Sequence, residues 1–405
     1  MRSTFLSTLA VALAAATAVS STPLPEREVS TSTLNIAKRA TPLTRDGLLS
    51  EITRLRYKYV RNLVNYQHNT GETNPLLNAT STVIQDILGQ VQSRLAHTKR
   101  ATGTVSLQDV SNQLLWKGPF TAGSNTAQLD FDTGSSDTFF QPGKYNPGST
   151  AKDTGRNFTV RYGDGTQATG EIYTDNISVG GLTATGQAIG QARQSTLDAS
   201  SSDGISGMAF PSIAQFKADP FYVSLIKQGK LDKPQFGFGL YPQGARLDLG
   251  FFNSGSYKAP LKFTNVNKAQ GFWQISGAKL NGASLGDNVI VDTGTTIVLG
   301  PPLQVAGICL AAGGVPLYQG GEVLCGYAIG TPKFTFNVAG LDVTLSEQSQ
   351  LLTNQGFFKI AGIVGADIGL QNGWILGDTF LQNVYAGFDY SAGGANPRVG
   401  FALKK

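Results

Sequence analysis

The apolar residues of this chain change period from one region to the next. Residues 129–140, LDFDTGSSDTFF, carry an apolar, β-prone run into Asp-Thr-Gly and a small hydroxyl residue, then leave by a second apolar run. The pattern returns 160 residues later as VIVDTGTTIVLG, residues 289–300. Both stretches read as strand, tight turn, strand. Alternation on both sides of Tyr162-Gly163-Asp164-Gly165, within residues 158–181, predicts a long hairpin with a glycine-supported tip. Near the N-terminus the period becomes helical. Leu48, Leu49, Ile52, Leu55, Tyr59 and Leu63 mark one helix, with Arg54, Lys58 and Arg61 elsewhere on its surface, and Val83, Ile84, Ile87, Val91 and Leu95 mark a second. Residues 101–120 alternate like strands before a turn at residues 123–125. Further on, FGFGLYPQGARLDLGFFNSGSYK suggests strands of a shared back sheet, with a boundary between two halves near Gly250.

Composition agrees with a mostly β protein: charge is low, and glycine, at 49 residues, is abundant beside many Thr, Ser, Val and Phe. At 405 residues the length suits two or three domains with large cores. The net charge of +5 misleads until it is split. Residues 1–100 hold 12 Lys+Arg against 6 Asp+Glu, whereas the remaining residues hold 20 against 21. The body is therefore no nucleic-acid binder on charge grounds. Both histidines, His68 and His97, also lie in the first hundred residues, so the body has none for Ser-His or Cys-His catalysis or for the usual zinc-hydrolase ligand sets. No metal or cofactor is expected.

The N-terminus reads as a signal peptide over residues 1–20: Arg2, an apolar and small-residue run over residues 5–19, and small residues at the cleavage spacing in Ala18-Val19-Ser20. A membrane anchor would want a longer apolar core with basic flanks, and no later segment is long and apolar enough to span. A soluble, secreted product without membrane contact follows. In that setting Cys309 and Cys325, 16 residues apart, favour one disulfide over two free thiols. Residues 21–100 are basic and polar and end in the dibasic Lys99-Arg100; Lys38-Arg39 is a second candidate cut. They read either as a small helical domain with a solvated basic face or as a pro-segment whose positive charge plugs an acidic cleft until acid weakens the pairing. The processing site favours the pro-segment. Sequons at Asn78, Asn157 and Asn176 are possible glycosylation sites.

A lone Asp-Thr-Gly is usually a solvated turn, but two copies in matched apolar contexts suggest one paired site. The glycine permits a sharp turn and keeps bulk away from the carboxylate, which places Asp132 and Asp292 exposed at loop tips. Thr133 and Thr293 offer hydroxyls to fix the opposite loop. If the turns meet across a pseudo-two-fold axis, the carboxyls cannot both ionise comfortably, so one pKa falls and the other rises. In acid the pair holds one proton and supplies a general base beside a general acid. Such a pair activates water for attack on an amide carbonyl without a covalent intermediate.

These residues resemble the pepsin-like aspartic peptidase family, secreted fungal members above all, over most of residues 103–403. The resemblance implies a mostly β, bilobal fold: two pseudo-symmetric lobes, residues 101–250 and 251–405, with the cleft between them and a partly helical pro-segment before them. It makes Asp132 and Asp292 catalytic. It makes Gly134, Ser135, Gly294, Thr295 and Thr296 part of the substrate-binding turns, with Ser135 and Thr295 bonded to the outer carboxylate oxygens. It makes Tyr162, Gly163 and Asp164 a flap over substrate, although Tyr162 alone is an ordinary hairpin aromatic. Residues 203–210 and 374–380 correspond to the two buried strands that thread past the active turns, where close-packed glycine permits the crossing. Asp130 and Asp164 are either solvated acids or negative groups near the primary subsite that let cleavage after Lys be tolerated.

Two departures stand out. Phe139 stands where most relatives place a tryptophan, which removes an indole N–H from the flap tyrosine and predicts a more mobile Tyr162; Ser206 interrupts an expected apolar pair. The expected product is a monomeric, acid-active endopeptidase made as a zymogen, acting on proteins and peptides, inhibited by its own pro-segment, and found outside the cell or in an acidic vacuole. The rivals are a catalytically silent binding or inhibitor protein on the same scaffold and a non-enzymatic β-rich surface protein.

Overall fold

Where they approach the Asp-Thr-Gly turns, the strands that carry the two repeats are buried on both faces, which is why the repeats run apolar instead of alternating. In a computed structural model, which describes residues 32–35, 37–38, 45–78, 81, 84–85, 87–88, 116–161, 167–195, 202–241, 245–355 and 357–405, each repeat forms the same three-strand knot. In the first, β1 (Asn125–Asp132), β2 (Thr138–Phe140) and β3 (Gly204–Gly207) come together, with β3 inserted between the other two, parallel to β1 and antiparallel to β2. In the second, β4 (Val289–Val291), β5 (Val298–Gly300) and β6 (Trp374–Leu376) repeat the arrangement, with β6 parallel to β4 and antiparallel to β5. The register sets Asp132 opposite Gly207 and Val291 opposite Leu376.

Each knot sits in an eight-stranded sheet. The first sheet continues through Leu182–Ser195, Gln167–Val179 and Lys152–Arg161, the last two forming the predicted long hairpin. A six-stranded sheet joins the halves: Gln235–Gly239 pairs with Val384–Asp389, which pairs with Arg398–Leu403 and through it with Lys262–Asn265. The predicted back sheet is found there. A buried aromatic cluster holds it, with Phe236 stacked on Phe388 at 4.9 Å and Trp273 edge-on to both. Cys309 and Cys325 form a disulfide that ties the helix Pro302–Ala311 to the strand Glu322–Tyr327. Closing a loop of that length stabilises by about 3 kcal/mol.

The N-terminal region joins the body in two ways. Ser32–Asn35 adds to the edge of the six-stranded sheet against Arg246–Leu249, and Ala37–Lys38 pairs with Trp116–Ala122. Then α1 (Arg45–Thr70), 26 residues and about 39 Å long, crosses the molecule. Its apolar stripe is buried as predicted, with Leu48, Ile52, Leu55, Tyr59 and Leu63 packed against Ile297, Leu299, Val364 and Leu370. The neighbouring stripe of Glu51, Arg54, Lys58, Asn62 and Asn65 is buried too, each residue no more than 5 % exposed. A helix buried on both its apolar and its polar side must lie in a polar cleft. This corrects the alternative of a solvated basic face. Of the second predicted helix, Ile84 and Ile87 are helical and pack on Val60 and Val64, while Val83, Val91 and Leu95 lie outside the described residues. Among the described residues no helix is long and apolar enough to cross a membrane.

Candidate active site

The knots bring the two Asp-Thr-Gly turns together, and the threonines lock them. Thr133 N–H donates to Thr293 Oγ1 and Thr293 N–H to Thr133 Oγ1, both at 3.0 Å. In return the Thr133 hydroxyl donates to Val291 O at 2.9 Å and the Thr293 hydroxyl to Phe131 O at 2.6 Å. All these groups are buried, so losing one partner leaves a desolvated orphan at a cost of about 1–3 kcal/mol. Beneath each turn a glycine allows the crossing strand through. A Cβ on Gly207 would stand 2.5 Å from the Ser136 carbonyl carbon, and one on Gly377 would collide with the Thr295 backbone.

The turn glycines serve close approach. Neither Gly134 nor Gly294 has a positive φ. A Cβ on Gly134 would lie 2.5 Å from the Asp292 carboxyl, and one on Gly294 would strike the Asp132 carboxyl. Each turn's glycine is therefore the floor beneath the other turn's acid, and sharp turning is the lesser part of its role. The same glycines donate N–H bonds to their own aspartates: Gly134 to Asp132 Oδ1 at 2.8 Å, Gly294 to Asp292 Oδ1 at 3.0 Å. Ser135 Oγ donates to Asp132 Oδ2 and Thr295 Oγ1 to Asp292 Oδ2, both at 2.5 Å.

The aspartates were expected at exposed loop tips, but Asp132 is 2 % exposed and Asp292 fully buried. The cover is α1. Lys58 Nζ donates to Asp132 Oδ1 at 2.7 Å and to both oxygens of Asp292 at 2.9 and 3.1 Å, so one ammonium serves both carboxyls. Tyr59 OH donates to Asp292 Oδ2 at 2.7 Å. On either side the helix binds the turn glycines by their carbonyls: Arg54 Nη2 to Gly294 O and Asn62 Nδ2 to Gly134 O, both at 2.8 Å. Arg54 is itself held by Glu51.

This setting separates the two acids. Burial raises Asp132, the Lys58 charge opposes it, the Asp292 charge adds to it, and the net direction is upward. Burial would raise Asp292 as well, but Lys58 and hydrogen bonds from Asp132, Thr295 and Tyr59 outweigh it and hold Asp292 well below the usual carboxylate range. For Lys58, burial opposes the charge, but Asp132 and Asp292 prevail and its pKa rises.

Asp130 is buried beside the pair, its Oδ1 without a hydrogen-bond partner among the described residues. Burial, then the Asp132 charge, push its carboxyl well up. Thr296 is buried, and its carbonyl accepts from the N–H and hydroxyl of Thr379. Tyr162, Gly163 and Asp164, at the hairpin tip, lie outside the described residues, as does Lys99-Arg100. Phe139 packs on Phe158 at 5.8 Å, and the Ser206 hydroxyl meets that of Thr138 at 3.3 Å. Asn157 is exposed, Asn78 half-buried, and Asn176 half-buried with its Oδ1 accepting from Gly186 N–H.

Sequence reasoning anticipated a basic segment against an acidic cleft but not the residues that make the contact. Lys58 and Asn62 belong to the site through the spacing of 51, 54, 58, 62 and 65, polar positions three and four apart on one helical face, and Tyr59 reaches it from the edge of the apolar stripe.

Comparison with known proteins fits this geometry. The family model for eukaryotic aspartyl proteases matches residues 116–404. A secreted aspartyl protease of Malassezia globosa is 33 % identical over 91 % of this chain and 92 % of its own length. An aspartic protease of Phaffia rhodozyma is 36 % identical over 77 % of this chain and 82 % of its own. Penicillopepsin-1 of Penicillium janthinellum is 31 % identical over 75 % and 99 %. With two interlocked Asp-Thr-Gly turns and a match across most of its length, the chain belongs to the eukaryotic aspartyl protease family.

Proposed function

We propose that Asp132 and Asp292 are the working carboxylates of this aspartic-type endopeptidase, and that residues 21–100 hold it as a zymogen. The observation that carries the reading is the single Lys58 ammonium shared by both carboxyls. Its position marks where a water stands once the helix leaves. That water gives a proton to the ionised aspartate as its oxygen attacks the amide carbonyl carbon. The protonated partner gives its proton to the carbonyl oxygen, producing a neutral gem-diol. The first aspartate then protonates the leaving nitrogen, the second takes a diol proton as the C–N bond breaks, and the pair again holds one proton.

Catalysis needs the helix gone, because α1 fills the space above the dyad and its Lys58 ammonium holds Asp292 ionised. The expected sequence is secretion through residues 1–20, release of α1 in acid, and cleavage near Arg100. The lobes run over residues 101–250 and 251–405 of a monomer. Extended peptides lie under the flap of Tyr162, Gly163 and Asp164, bound mainly through their backbones, with Asp130 and Asp164 near the primary subsite. The name of the Malassezia relative supports an extracellular destination over an acidic vacuole. Asn157, exposed on a strand, is the best placed sequon.

The test is acid incubation of the full chain beside Asp292→Asn. Wild type should clip itself near Arg100 and then digest added protein. An Asp292→Asn chain that does both equally well would end the proposal.

A further inference from the structure

Two residues before Lys58, α1 makes another paired contact with the cleft wall that the dyad does not require. Arg56 Nε donates to Asp367 O at 2.6 Å, and Arg56 Nη2 donates to Glu322 Oε1 at 2.8 Å. Both side chains are largely shielded, 12 % exposed for Arg56 and 8 % for Glu322. Nε and Nη2 lie on one edge of the guanidinium, so carboxylate and carbonyl together accept its two-pronged face. An ammonium has no such planar edge.

The acceptors are fixed by the fold. Glu322 begins the strand Glu322–Tyr327 directly after a turn in which Gly320 and Gly321 both have positive φ, at 58° and 93°. The Asp367 loop is pinned at both ends: Ala366 N–H donates to Gly300 O at 3.0 Å, and Asp367 Oδ1 accepts Gly369 N–H at 3.0 Å. Neither anchor involves α1. The pair of acceptors should therefore keep its spacing when the helix departs.

We infer that the Glu322 carboxylate and the Asp367 carbonyl form an arginine-binding subsite of the mature cleft, which Arg56 fills in the uncleaved chain. The inference rests on the proposed endopeptidase function and adds a substrate class to it: peptides with an arginine a few residues from the scissile bond. Arg56 and Lys58 lie about 3 Å apart along the axis but about 200° apart around it, so the subsite stands to the side of the dyad, within reach of a substrate side chain several residues from the scissile bond. Removing Arg56 leaves the carboxylate without its cation, and a cationic partner from substrate restores the charge-assisted pair.

The experiment uses enzyme obtained by acid processing of the full chain, assayed at one mildly acidic pH. Peptides share one cleavable apolar pair, and Arg, Lys or Gln is placed in turn at each of the four positions on either side. At one position Arg should raise kcat/KM about tenfold over Gln, with Lys intermediate, and in Glu322→Gln that ratio should fall to near one. No position favouring Arg, or a preference that survives in Glu322→Gln, overturns the subsite. Hydrolysis of the Gln peptides separates the two readings: if wild type cleaves them without any Arg preference, the subsite alone falls. If wild type cleaves none of the peptides, the endopeptidase reading falls and takes the subsite with it. Should Glu322→Gln not fold, Glu322→Asp keeps the charge on a shorter arm and should lower the ratio, and the wild-type scan remains decisive by itself.

Discussion

The two Asp-Thr-Gly turns have nearly the same backbone and opposite electrostatics. Each donates a glycine N–H to its inner carboxylate oxygen and a hydroxyl to its outer one, and each locks the other by threonine. Yet Asp132 is pushed up and Asp292 is held down. The difference lies in what surrounds the turns: at Asp132 burial and the Asp292 charge outweigh one Lys58 contact, whereas Asp292 receives the Tyr59 hydroxyl and two contacts from Lys58. Duplication sets the geometry, and unpaired neighbours assign the protons.

The largest test of that comparison removes one acid at a time. A dyad that shares one proton needs both members, so Asp132→Asn and Asp292→Asn should each lower kcat by at least about a thousandfold, within the range for losing general acid–base catalysis. Equal losses fit an exchange of roles through the cycle. If either variant kept wild-type turnover on a peptide substrate, the two turns would not be one site.

The shared ammonium comes next. Taking one partner from a buried ion pair costs about 3–5 kcal/mol, so Lys58→Met should loosen α1 and let self-cleavage begin at higher pH. The sign follows from Asp292. Its depressed value stabilises the docked state above the usual carboxylate pKa of about 3.9, and that stabilisation is lost as pH falls through the depressed value. Asp132, shifted upward, works the other way and does not drive release. Raised Lys58 holds the complex at every pH below its ordinary value of 10.5. A processing rate in Lys58→Met with an unchanged pH midpoint would remove the ammonium from the release mechanism.

The threonine lock is smaller and should be symmetric. Thr133→Val and Thr293→Val each orphan a buried N–H, so each should destabilise by about 1–3 kcal/mol, measured by denaturant unfolding. Unequal costs would show that one turn carries more of the lock than its mirror.

Much of this arrangement was legible because apolar runs, turn residues and the duplication are local signals. The pairing of Thr133 with Thr293 followed once two copies were seen in one chain. Burial of the aspartates was not legible, since it comes from α1, more than sixty residues before Asp132 in the sequence. Lys58 looked like an ordinary basic residue on a helix surface. A helical wheel sets it about 100° round from the centre of the apolar stripe, but does not show that this side meets protein instead of water. The strand additions at Ser32–Asn35 and Ala37–Lys38 escaped notice for a related reason: short edge strands paired through backbone carry little side-chain pattern.

The smallest effect isolates the asymmetry itself. Tyr59 touches Asp292 and has no bond to Asp132, so Tyr59→Phe keeps the buried ring against Phe272 while removing one donor from one acid. A hydrogen bond to a charged group is worth about 1.5–3 kcal/mol, and here Lys58, Gly294 and Thr295 still serve the carboxylate, so the lower end applies. Asp292 should move back toward the usual range, which raises the pH at which docking is lost. The expected readout is a midpoint for self-cleavage shifted upward by about one pH unit or less, the linkage equivalent of about 1.4 kcal/mol. If the proposed cleavage near Arg100 removes α1, the processed enzyme lacks Tyr59, and its kcat and pH profile should match wild type. A change in the mature profile would show that α1 stays on the two acids after processing.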